Sequence, residues 1–463
     1  MTLAEIAASV GTAPLDPAAG SLTIDRVTTD SREVRPGDLF WALKGERCDG
    51  HDFVHAAFAA GATAAVVRQG FCLTQLTGSS NPLVNVADTR HALGQFAAAY
   101  RRSCRAIVIA VTGSVGKTST REAIYAALSR KWRGVRSDKN HNNDIGVPLS
   151  LLDIGPEHEF AVIELGASGP GEIARLAEIA APQIGVLTTI GPAHLEGFGS
   201  IPVVAQAKAE LVAALGTQGV AVLNQDDMRI RDIGEQAPCG VLWYGTRPGP
   251  LPQLVRADEI IAVGEGVLFR VDRGAQMKLR VSGRHQVYAA LAAIAVGRWL
   301  GMADREIAAG LGNYRPAAMR CQVERLGGVT VINDAYNASP PSMWAAIDLL
   351  GTWPTRGRRV LVCGDMKELG AAAQEYHEQL GEEIARRRAI DLCIAVGPLS
   401  VHVVEAARQS GMTAATALYC KSVEQAADLL QRTVLDGDVV LLKASRAMQL
   451  EKILDGLDRR PAA

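Results

Sequence analysis

An apolar run, a glycine-containing loop and a helical segment follow one another in residues 106–119, and this succession constrains the fold more than any other part of the chain. The run AIVIAVT is typical of a strand that is buried on both faces of a parallel sheet. Gly113 and Gly116 let the next backbone segment curl so that its N–H groups point at phosphate oxygens. The following helix adds its positive N-terminus, so the stretch predicts a phosphate-binding loop in an α/β domain.

Two side chains in this loop carry the expected chemistry. Lys117 would reach the terminal phosphates of a nucleotide, and the Thr118 hydroxyl would hold Mg²⁺. Val111 stands where the usual motif has its first glycine, so the loop is a shortened G-x-x-G-K-T. An ordinary glycine turn before a helix is the alternative, and the preceding strand and the Lys-Thr pair disfavour it. The predicted nucleotide-binding residues are Gly113, Ser114, Val115, Gly116, Lys117, Thr118 and Ser119.

Strand-like apolar runs alternate with helical segments through most of the chain, which predicts an α/β fold with parallel sheets. At roughly 150 residues per domain, 463 residues suggest three domains. Short strands mixed with helices precede a turn-rich stretch at residues 76–82, and the alternation restarts after Arg315 and Pro316. We therefore predict domains at residues 1–85, 86–315 and 316–463. The predicted strands of the last two are 106–111, 160–165, 184–190, 220–223, 329–333, 359–363, 392–396 and 439–442.

The composition excludes several classes of protein. Lys plus Arg number 48 and Asp plus Glu 49, and this balance argues against a dedicated nucleic-acid-binding protein. No apolar run reaches the roughly 18 residues that a membrane span needs, and the first residues do not read as a secretory signal. The eight cysteines are scattered without a C-x-x-C pair, which favours a reducing compartment and gives a zinc site little support. We expect a cytoplasmic protein.

Three further residues are candidates that are ambiguous when taken singly. Glu164 ends an apolar strand, where an acid can ligate a metal or simply face solvent. His194 lies in a loop bounded by glycine and proline after a buried strand, although a lone loop histidine usually has no role. Lys208 falls on a predicted helix over residues 203–215 and, taken alone, is a solvated lysine.

Together these residues resemble the Mur ligase family, the ATP-dependent amide-forming enzymes of peptidoglycan precursor synthesis. The shared features are the shortened loop Thr112–Thr118, the strand-end Glu164, and a histidine, His194, that precedes Lys208 by 14 residues (208 − 194 = 14). The resemblance implies that CO₂ carbamylates Lys208, giving a carboxylate-like metal ligand. It also implies catalytic roles for Lys117, Glu164, His194 and Lys208, and two Mg²⁺ ions held by Thr118, Glu164, His194 and carbamylated Lys208.

The resemblance extends over the whole chain, in the segments 28–32, 42–47, 142–148, 194–199, 334–340, 364–370 and 443–446. It is strongest to the member that adds D-alanyl-D-alanine to UDP-N-acetylmuramoyl-tripeptide. That likeness implies a UDP-substrate domain, a central ATP-binding domain and a Rossmann-like C-terminal ligase domain, in this order. On the substrate side it implies roles for Ser31, Arg32, Lys44, Asn142, Asn143, Lys443, Ser445 and Arg446. On the nucleotide side it implies roles for His285, Arg320, Asp334 and Tyr336.

The implied reaction passes through an acyl phosphate, made from ATP and the tripeptide carboxylate and then attacked by the dipeptide amine. The partners would be these small molecules, with no nucleic acid, and a monomer is expected. The chain departs from the family's H-N-x-x-N pattern: Gln286 and Ala289 replace the two asparagines that lie around the nucleotide. Other departures are Met319 where the family has glycine, and Ala444 where glycine is usual.

Three alternatives stay open. The first is another amino-acid ligase of the family, either the third-residue ligase or a folylpolyglutamate-type ligase. The third-residue ligase usually carries D-N-P-R, which this chain lacks. The second is a phosphate-loop ATPase or GTPase that acts as a switch, although the guanine motif N-K-x-D is not evident. The third is a non-catalytic relative, suggested by Gln286 and Ala289.

Overall fold

The computed structural model describes residues 1–71, 81–249 and 251–457. Most of the turn-rich stretch that we used to place the first domain boundary, residues 76–80, lies outside them. The chain folds into two compact units. Unit 1 contains Met1–Ala110, Trp132–Gly166 and Ile173–Gln183, and unit 2 contains Val111–Lys131, Ala167–Glu172 and Ile184–Ala463. Within the described ranges, no helix has the length and apolar character that crossing a membrane requires.

Helices and strands alternate along the chain, as the sequence predicts. The helices of the described residues are α1 Leu3–Ser9, α2 Pro17–Gly20, α3 Val54–Ala59, α4 Thr89–Ser103, α5 Lys117–Leu128, α6 Gly146–Leu152, α7 Glu172–Ala180, α8 Leu195–Phe198, α9 Ile201–Ala214, α10 Met228–Glu235, α11 Gln286–Trp299, α12 Asp304–Leu311, α13 Pro340–Gly351, α14 Ala373–Arg387, α15 Ser400–Gln409, α16 Val423–Thr433 and α17 Leu454–Leu457. The strands are β1 Arg26–Thr28, β2 Asp38–Trp41, β3 Ala64–Arg68, β4 Leu83–Val86, β5 Ile107–Thr112, β6 Gly134–Arg136, β7 Phe160–Glu164, β8 Ile184–Leu187, β9 Val220–Asn224, β10 Gly240–Gly245, β11 Leu254–Val263, β12 Gly266–Val271, β13 Gln276–Leu279, β14 Gln322–Leu326, β15 Val329–Asn333, β16 Arg359–Gly364, β17 Leu392–Val396, β18 Ala417–Cys420 and β19 Val439–Lys443.

Unit 1 begins with a parallel sheet in the order β1-β2-β3-β4. Successive side chains of β2 enter different cores: Leu39 and Trp41 lie in one, and Phe40 in the other. A sheet covered on both faces explains why β2 is apolar throughout. The Ala-rich stretch of residues 56–65, whose composition favours a helix, is divided between two elements, because α3 stops at Ala59 and Ala64 already belongs to β3. The strands β5, β7 and β6 belong to a different sheet, in which they lie side by side in that order. Within it, β6 pairs with β7 in parallel.

Unit 2 contains a sheet in the order β13-β12-β11-β10-β9-β8. The pairs β8–β9, β9–β10 and β10–β11 are parallel, whereas β11, β12 and β13 form antiparallel hairpins. Our prediction of a parallel sheet is therefore wrong for the pairs β11–β12 and β12–β13. In β11 the buried positions of the first half give way to alternating exposed ones, such as Ile261, which is typical of an antiparallel strand with one solvated face.

The last sheet of unit 2 has the order β14-β15-β19-β16-β17-β18. Only β14 runs antiparallel to its neighbour, and the other pairs are parallel. The predicted strands 329–333 and 392–396 agree with β15 and β17 at both ends. Polar loops follow the carboxyl ends of β15, β16 and β19, at the edge where open α/β sheets bind ligands.

Candidate active site

The predicted phosphate loop lies between β5 and α5, and two glycines with positive φ shape it. Gly113 has φ +147° and Gly116 has φ +88°. A Cβ atom on Gly113 would lie 2.0 Å from Thr188 Oγ1, so this position has no room for a side chain. Thr188 Oγ1 donates to the carbonyl of Val115 at 2.6 Å, and the N–H of Ser114 donates to the carbonyl of Thr189 at 2.8 Å. The loop is thus held by the segment that follows β8.

Lys117 begins α5 and extends its side chain along the loop. Its Nζ donates to the carbonyl of Gly113 at 2.8 Å, and the carbonyl of Ser114 lies at 3.5 Å. The neighbouring Thr118 is buried. These contacts keep the ammonium beside the loop, at the positive end of α5, where a nucleotide's phosphates would bind.

Lys208 is buried, with 2% of its surface exposed, and the solvated lysine that its helix position alone suggested is wrong. Its Nζ lies 5.3 Å from the centroid of the Phe198 ring and forms no ion pair with any described residue. Desolvation, and secondarily the charge of Lys117, lower the pKa of Lys208 to about 7, against the opposing effect of Glu210 and Glu172. A large part of this amine is therefore neutral and nucleophilic near neutral pH.

His194 adopts a left-handed backbone conformation with φ +54° just before α8. Its Nδ1 lies 2.6 Å from Oε2 of Glu368, which follows β16. This hydrogen bond lowers the pKa of Glu368. Nε2 of His194 has no hydrogen-bond partner within the described part of the chain. The sequence pattern around Glu368 does not by itself predict the contact with His194, because the two residues lie in distant segments.

Glu164 is the last residue of β7 and is buried in unit 1. Asn142 donates from Nδ2 to Oε1 of Glu164 at 2.9 Å, and the Glu164 N–H donates to Ser137 Oγ at 3.0 Å. The structure thus brings together two of the predicted site residues, Asn142 and Glu164. Asn143 instead accepts the N–H groups of Ile145 and Gly146 through Oδ1, which places its side chain at the start of α6.

The residues predicted for the uridine end lie at the surface of unit 1. Arg32 is 86% exposed and forms a two-pronged ion pair with Asp30, with distances of 2.5 and 2.9 Å. The hydrogen bond from Arg32 lowers the pKa of Asp30 to about 2. Ser31 is half-buried and Lys44 is exposed.

Residues predicted for the nucleotide side lie close to Lys443, which was predicted for the substrate side, near the ends of β15 and β19. The Arg320 guanidinium lies 4.2 Å from the centroid of the Tyr336 ring. Lys443 donates to Oδ2 of Asp334 at 2.5 Å and to the Asn337 carbonyl at 3.1 Å. An arginine stacked on an aromatic ring, next to a lysine–aspartate pair, presents charge in fixed positions.

His285 and Gln286 lie at the start of α11. Burial lowers the pKa of His285, and its Nε2 is 3.8 Å from Cys321 Sγ. Gln286, one of the departures from the family pattern, is buried, and its Oε1 accepts from the hydroxyl of Tyr314 at 2.8 Å. Its amide is thus engaged inside the protein.

Two further predicted residues follow β19. Ser445 is buried and accepts the N–H of Lys367 through Oγ at 2.8 Å. Arg446 is exposed and pairs with Glu451 at 2.7 Å. Ser445 therefore supports the loop that carries Glu368.

The predicted Mg²⁺ ligands are chemically suited to a hard cation. They offer one hydroxyl, one carboxylate and one imidazole, from Thr118, Glu164 and His194, and Lys208 would add oxygens only after carbamylation. The described residues contain no group of three or more His, Cys, Asp or Glu that could hold a metal by itself. Mg²⁺ commonly binds through one or two carboxylates together with substrate phosphates and water, so donors of these kinds are chemically suited to it.

Comparison with known proteins decides the family. Three Mur ligase descriptions match consecutive parts of the chain: the "Mur ligase family, catalytic domain" at residues 23–101, the "Mur ligase middle domain" at 111–297 and the "Mur ligase, glutamate ligase domain" at 319–446. The UDP-N-acetylmuramoyl-tripeptide--D-alanyl-D-alanine ligase of Bacillus subtilis is 35% identical over 99% of both chains. The chain belongs to the Mur ligase family. The ligase of the same name from Escherichia coli is 37% identical over 94% of both chains.

Solved structures of Mur ligases agree with this assignment. MurF from Acinetobacter baumannii superposes with a TM-score of 0.84 at 34% identity, covering 94% of each chain. MurF from Thermotoga maritima, solved in complex with ADP, has a TM-score of 0.81 at 30% identity over 95% of this chain and 98% of that one. The predicted three-domain α/β architecture of a Mur ligase is thereby confirmed. The boundaries that we placed at residues 85 and 315 stay predictions.

Proposed function

We propose that this Mur ligase joins D-alanyl-D-alanine to the tripeptide carboxylate of UDP-N-acetylmuramoyl-tripeptide, with conversion of ATP to ADP and phosphate. The observation that carries the proposal is the buried Lys208 amine, whose pKa is lowered by desolvation and by the charge of Lys117 in the phosphate loop. The near-full-length similarity to ligases of that name supports the choice of substrates.

The chemical problem is that a carboxylate has no good leaving group. An oxygen of the tripeptide carboxylate attacks the γ-phosphorus of ATP, which forms an acyl phosphate and releases ADP. The dipeptide amine then attacks the acyl carbon, loses a proton and expels phosphate. Lys117 and the N–H groups of residues 113–118 neutralise the charge that accumulates on the transferred phosphoryl group.

Thr118, Glu164, His194 and carbamylated Lys208 are the residues we propose to hold two Mg²⁺ ions. When bound, these ions supply positive charge that lets an anionic carboxylate approach an anionic nucleotide. The carbamate forms when the neutral Lys208 amine donates its lone pair to the carbon of CO₂ and loses a proton. Burial of Lys208 supports this step, because only the unprotonated amine can react.

The remaining assignments are part of the same proposal. Arg320, Asp334, Tyr336 and His285 steady the nucleotide, Ser31, Arg32 and Lys44 bind the UDP end, and Asn142, Asn143, Lys443, Ser445 and Arg446 serve the substrates. Residues 1–85, 86–315 and 316–463 form the corresponding domains. The enzyme works as a cytoplasmic monomer in cell-wall precursor synthesis, with small-molecule partners.

The test is ADP release by the purified chain with ATP, Mg²⁺ and UDP-N-acetylmuramoyl-tripeptide, with and without D-alanyl-D-alanine. We expect ADP release to depend on both substrates and to match the ligated product, detected by mass spectrometry. D-glutamate and diaminopimelate serve as alternative acceptors. Ligation of one of these instead would indicate another Mur ligase reaction, and hydrolysis without any acceptor would indicate a nucleotide switch.

A further inference from the structure

The contact between His194 and Glu368 joins two segments that are far apart in sequence. His194 lies between β8 and α8, and Glu368 lies in residues 365–370, which follow β16 and are called here the β16 loop. Besides the 2.6 Å contact between Nδ1 and Oε2, the N–H of Glu196 donates to the Glu368 carbonyl at 3.1 Å. A Cβ on Gly370 would lie only 3.3 Å from the Glu196 Cα. The two backbones therefore approach closely at this point.

The β16 loop is held firmly from its own side. The N–H of Met366 donates to Nε2 of the buried His377 at 3.0 Å, whose Nδ1 is bound to the Ala373 carbonyl at 2.6 Å. Ser445 contributes two bonds: its Oγ accepts the Lys367 N–H at 2.8 Å, and its own N–H donates to the Asp365 carbonyl at 3.1 Å. These hydrogen bonds fix the β16 loop and therefore the position of Glu368 beside His194.

Stability does not account for this arrangement. The His194 and Glu368 side chains are 32% and 56% exposed, and ion pairs with this exposure contribute little to folding. Both residues also adopt left-handed backbone conformations, with φ +54° for His194 and φ +64° for Glu368. This conformation is unfavourable for residues that carry a Cβ atom. Strained residues that meet in a weak ion pair are a reason to look for a functional role.

We propose that Glu368 is a positioning residue that fixes the His194 ring through Nδ1 and so leaves Nε2 to ligate Mg²⁺ when the ion is bound. Histidines that bind metals usually donate their other ring N–H to a carboxylate, which sets the tautomer and the ring orientation. The bond to Nδ1, together with the lack of a partner for Nε2 among described residues, matches this pattern. The inference rests on the proposed function, because it takes His194 as a metal ligand.

The test measures Mn²⁺, as a probe for Mg²⁺, bound in the presence of a non-hydrolysable ATP analogue, with free Mn²⁺ followed by electron paramagnetic resonance. We expect Glu368→Ala to weaken Mn²⁺ binding by about 10-fold or more. Glu368→Gln, which keeps an acceptor oxygen, should lose less. Glu196→Gln is the matched control, because Glu196 is an exposed carboxylate at the same contact, and it should bind as the unaltered chain does.

A double-mutant comparison separates positioning from general damage. In a His194→Ala background, Glu368→Ala should weaken Mn²⁺ binding no further, with unchanged melting temperatures. An equal loss with and without His194, or Glu368→Ala binding as tightly as Glu196→Gln, would overturn the proposal. The assay needs neither acceptor nor turnover, so a failure of the proposed ligase reaction would show separately, as missing product from the unaltered chain.

Discussion

Lys208 places an amine in a buried environment, where Glu210 and Glu172 only partly offset the cost of desolvating its charge. Its pKa is lowered to about 7 by desolvation first and Lys117 second, whereas a lysine in the unfolded chain titrates near 10.5. The unfolded state therefore binds more protons between pH 7 and 10.5, and this residue's contribution to stability rises with pH across that window. Below pH 7 the whole penalty for burying the ammonium is present.

Lys208→Met should therefore abolish ligation and stabilise the fold. Methionine keeps a similar volume without charge and removes the cost of burying the ammonium, which at about 1.4 kcal/mol per pKa unit is on the order of several kcal/mol. Urea unfolding in CO₂-depleted buffer should show that the variant has a higher free energy of unfolding than the unaltered chain at pH 6.5, and that this difference is smaller at pH 9. A loss of stability at pH 6.5, or retained ligation, would contradict the role assigned to this buried amine.

Lys117→Ala should lower turnover by about 100-fold or more, because it removes one charge-stabilising contact in phosphoryl transfer. The side chain is only partly buried and reaches along a loop, so the melting temperature should change little. Lys421→Ala, at an exposed lysine far along the chain, is the control. The phosphate-loop assignment would be wrong if Lys117→Ala turned over at a near-normal rate.

The burial of Lys208 is encoded in the residue pattern of its own helix. The buried positions of α9 are Val204, Ala207, Lys208, Leu211 and Val212, which is the spacing of one helix face. Lys208 therefore falls on the apolar stripe, and its burial was predictable. The contact between Glu368 and His194 was not, because it joins residues 174 positions apart (368 − 194 = 174) through the packing of two loops.

Among the elements, the turn from β5 to α5 depends on two glycines that are constrained for different reasons. A Cβ on Gly116 would find its nearest neighbour, Thr188 Cβ, at 3.6 Å, so only the positive φ opposes a side chain there. At Gly113, the same atom would collide with Thr188 Oγ1. Gly113 is therefore needed for close packing against Thr188, and Gly116 is needed for its left-handed backbone conformation.

Gly116→Ala should accordingly cost about 1–2 kcal/mol, the price of a left-handed residue with a Cβ. Gly113→Ala should cost more, because Thr188 must also give up its bond to Val115. Urea unfolding of the two variants measures the difference. Equal losses would show that the collision at Gly113 is relieved by a small shift of the loop.

The elements that could be predicted are those with a strong local pattern. The pattern of residues 106–119 predicts β5, the loop and α5, and the predicted strand 106–111 differs from β5 by one residue at each end. This agreement is expected, because a buried strand and a glycine turn are encoded locally. The hairpins of β11, β12 and β13 were missed. Their residues alternate between exposed and buried, and their pairing depends on short turns rather than on an apolar run.

On the scale of the whole molecule, the two units contain different parts of the proposed machinery. Unit 1 holds Ser31, Arg32 and Lys44, and unit 2 holds the phosphate loop and Lys208. Each has hydrophobic cores of its own. Chains built from several cores seldom unfold in a single two-state transition.

Calorimetry should therefore resolve two transitions that respond to different ligands. A ligand that binds only the native state, present at 100 times its Kd, adds about 2.7 kcal/mol. An ATP analogue with Mg²⁺ should raise the transition of unit 2 more, and UDP that of unit 1 more. Lys117→Ala should reduce the shift that the ATP analogue causes, and Arg32→Ala should reduce the shift that UDP causes. These two variants identify which transition belongs to which unit. A single transition that both ligands raise equally would mean that the units unfold together, and a UDP shift that survives Arg32→Ala would remove Arg32 from the uridine site.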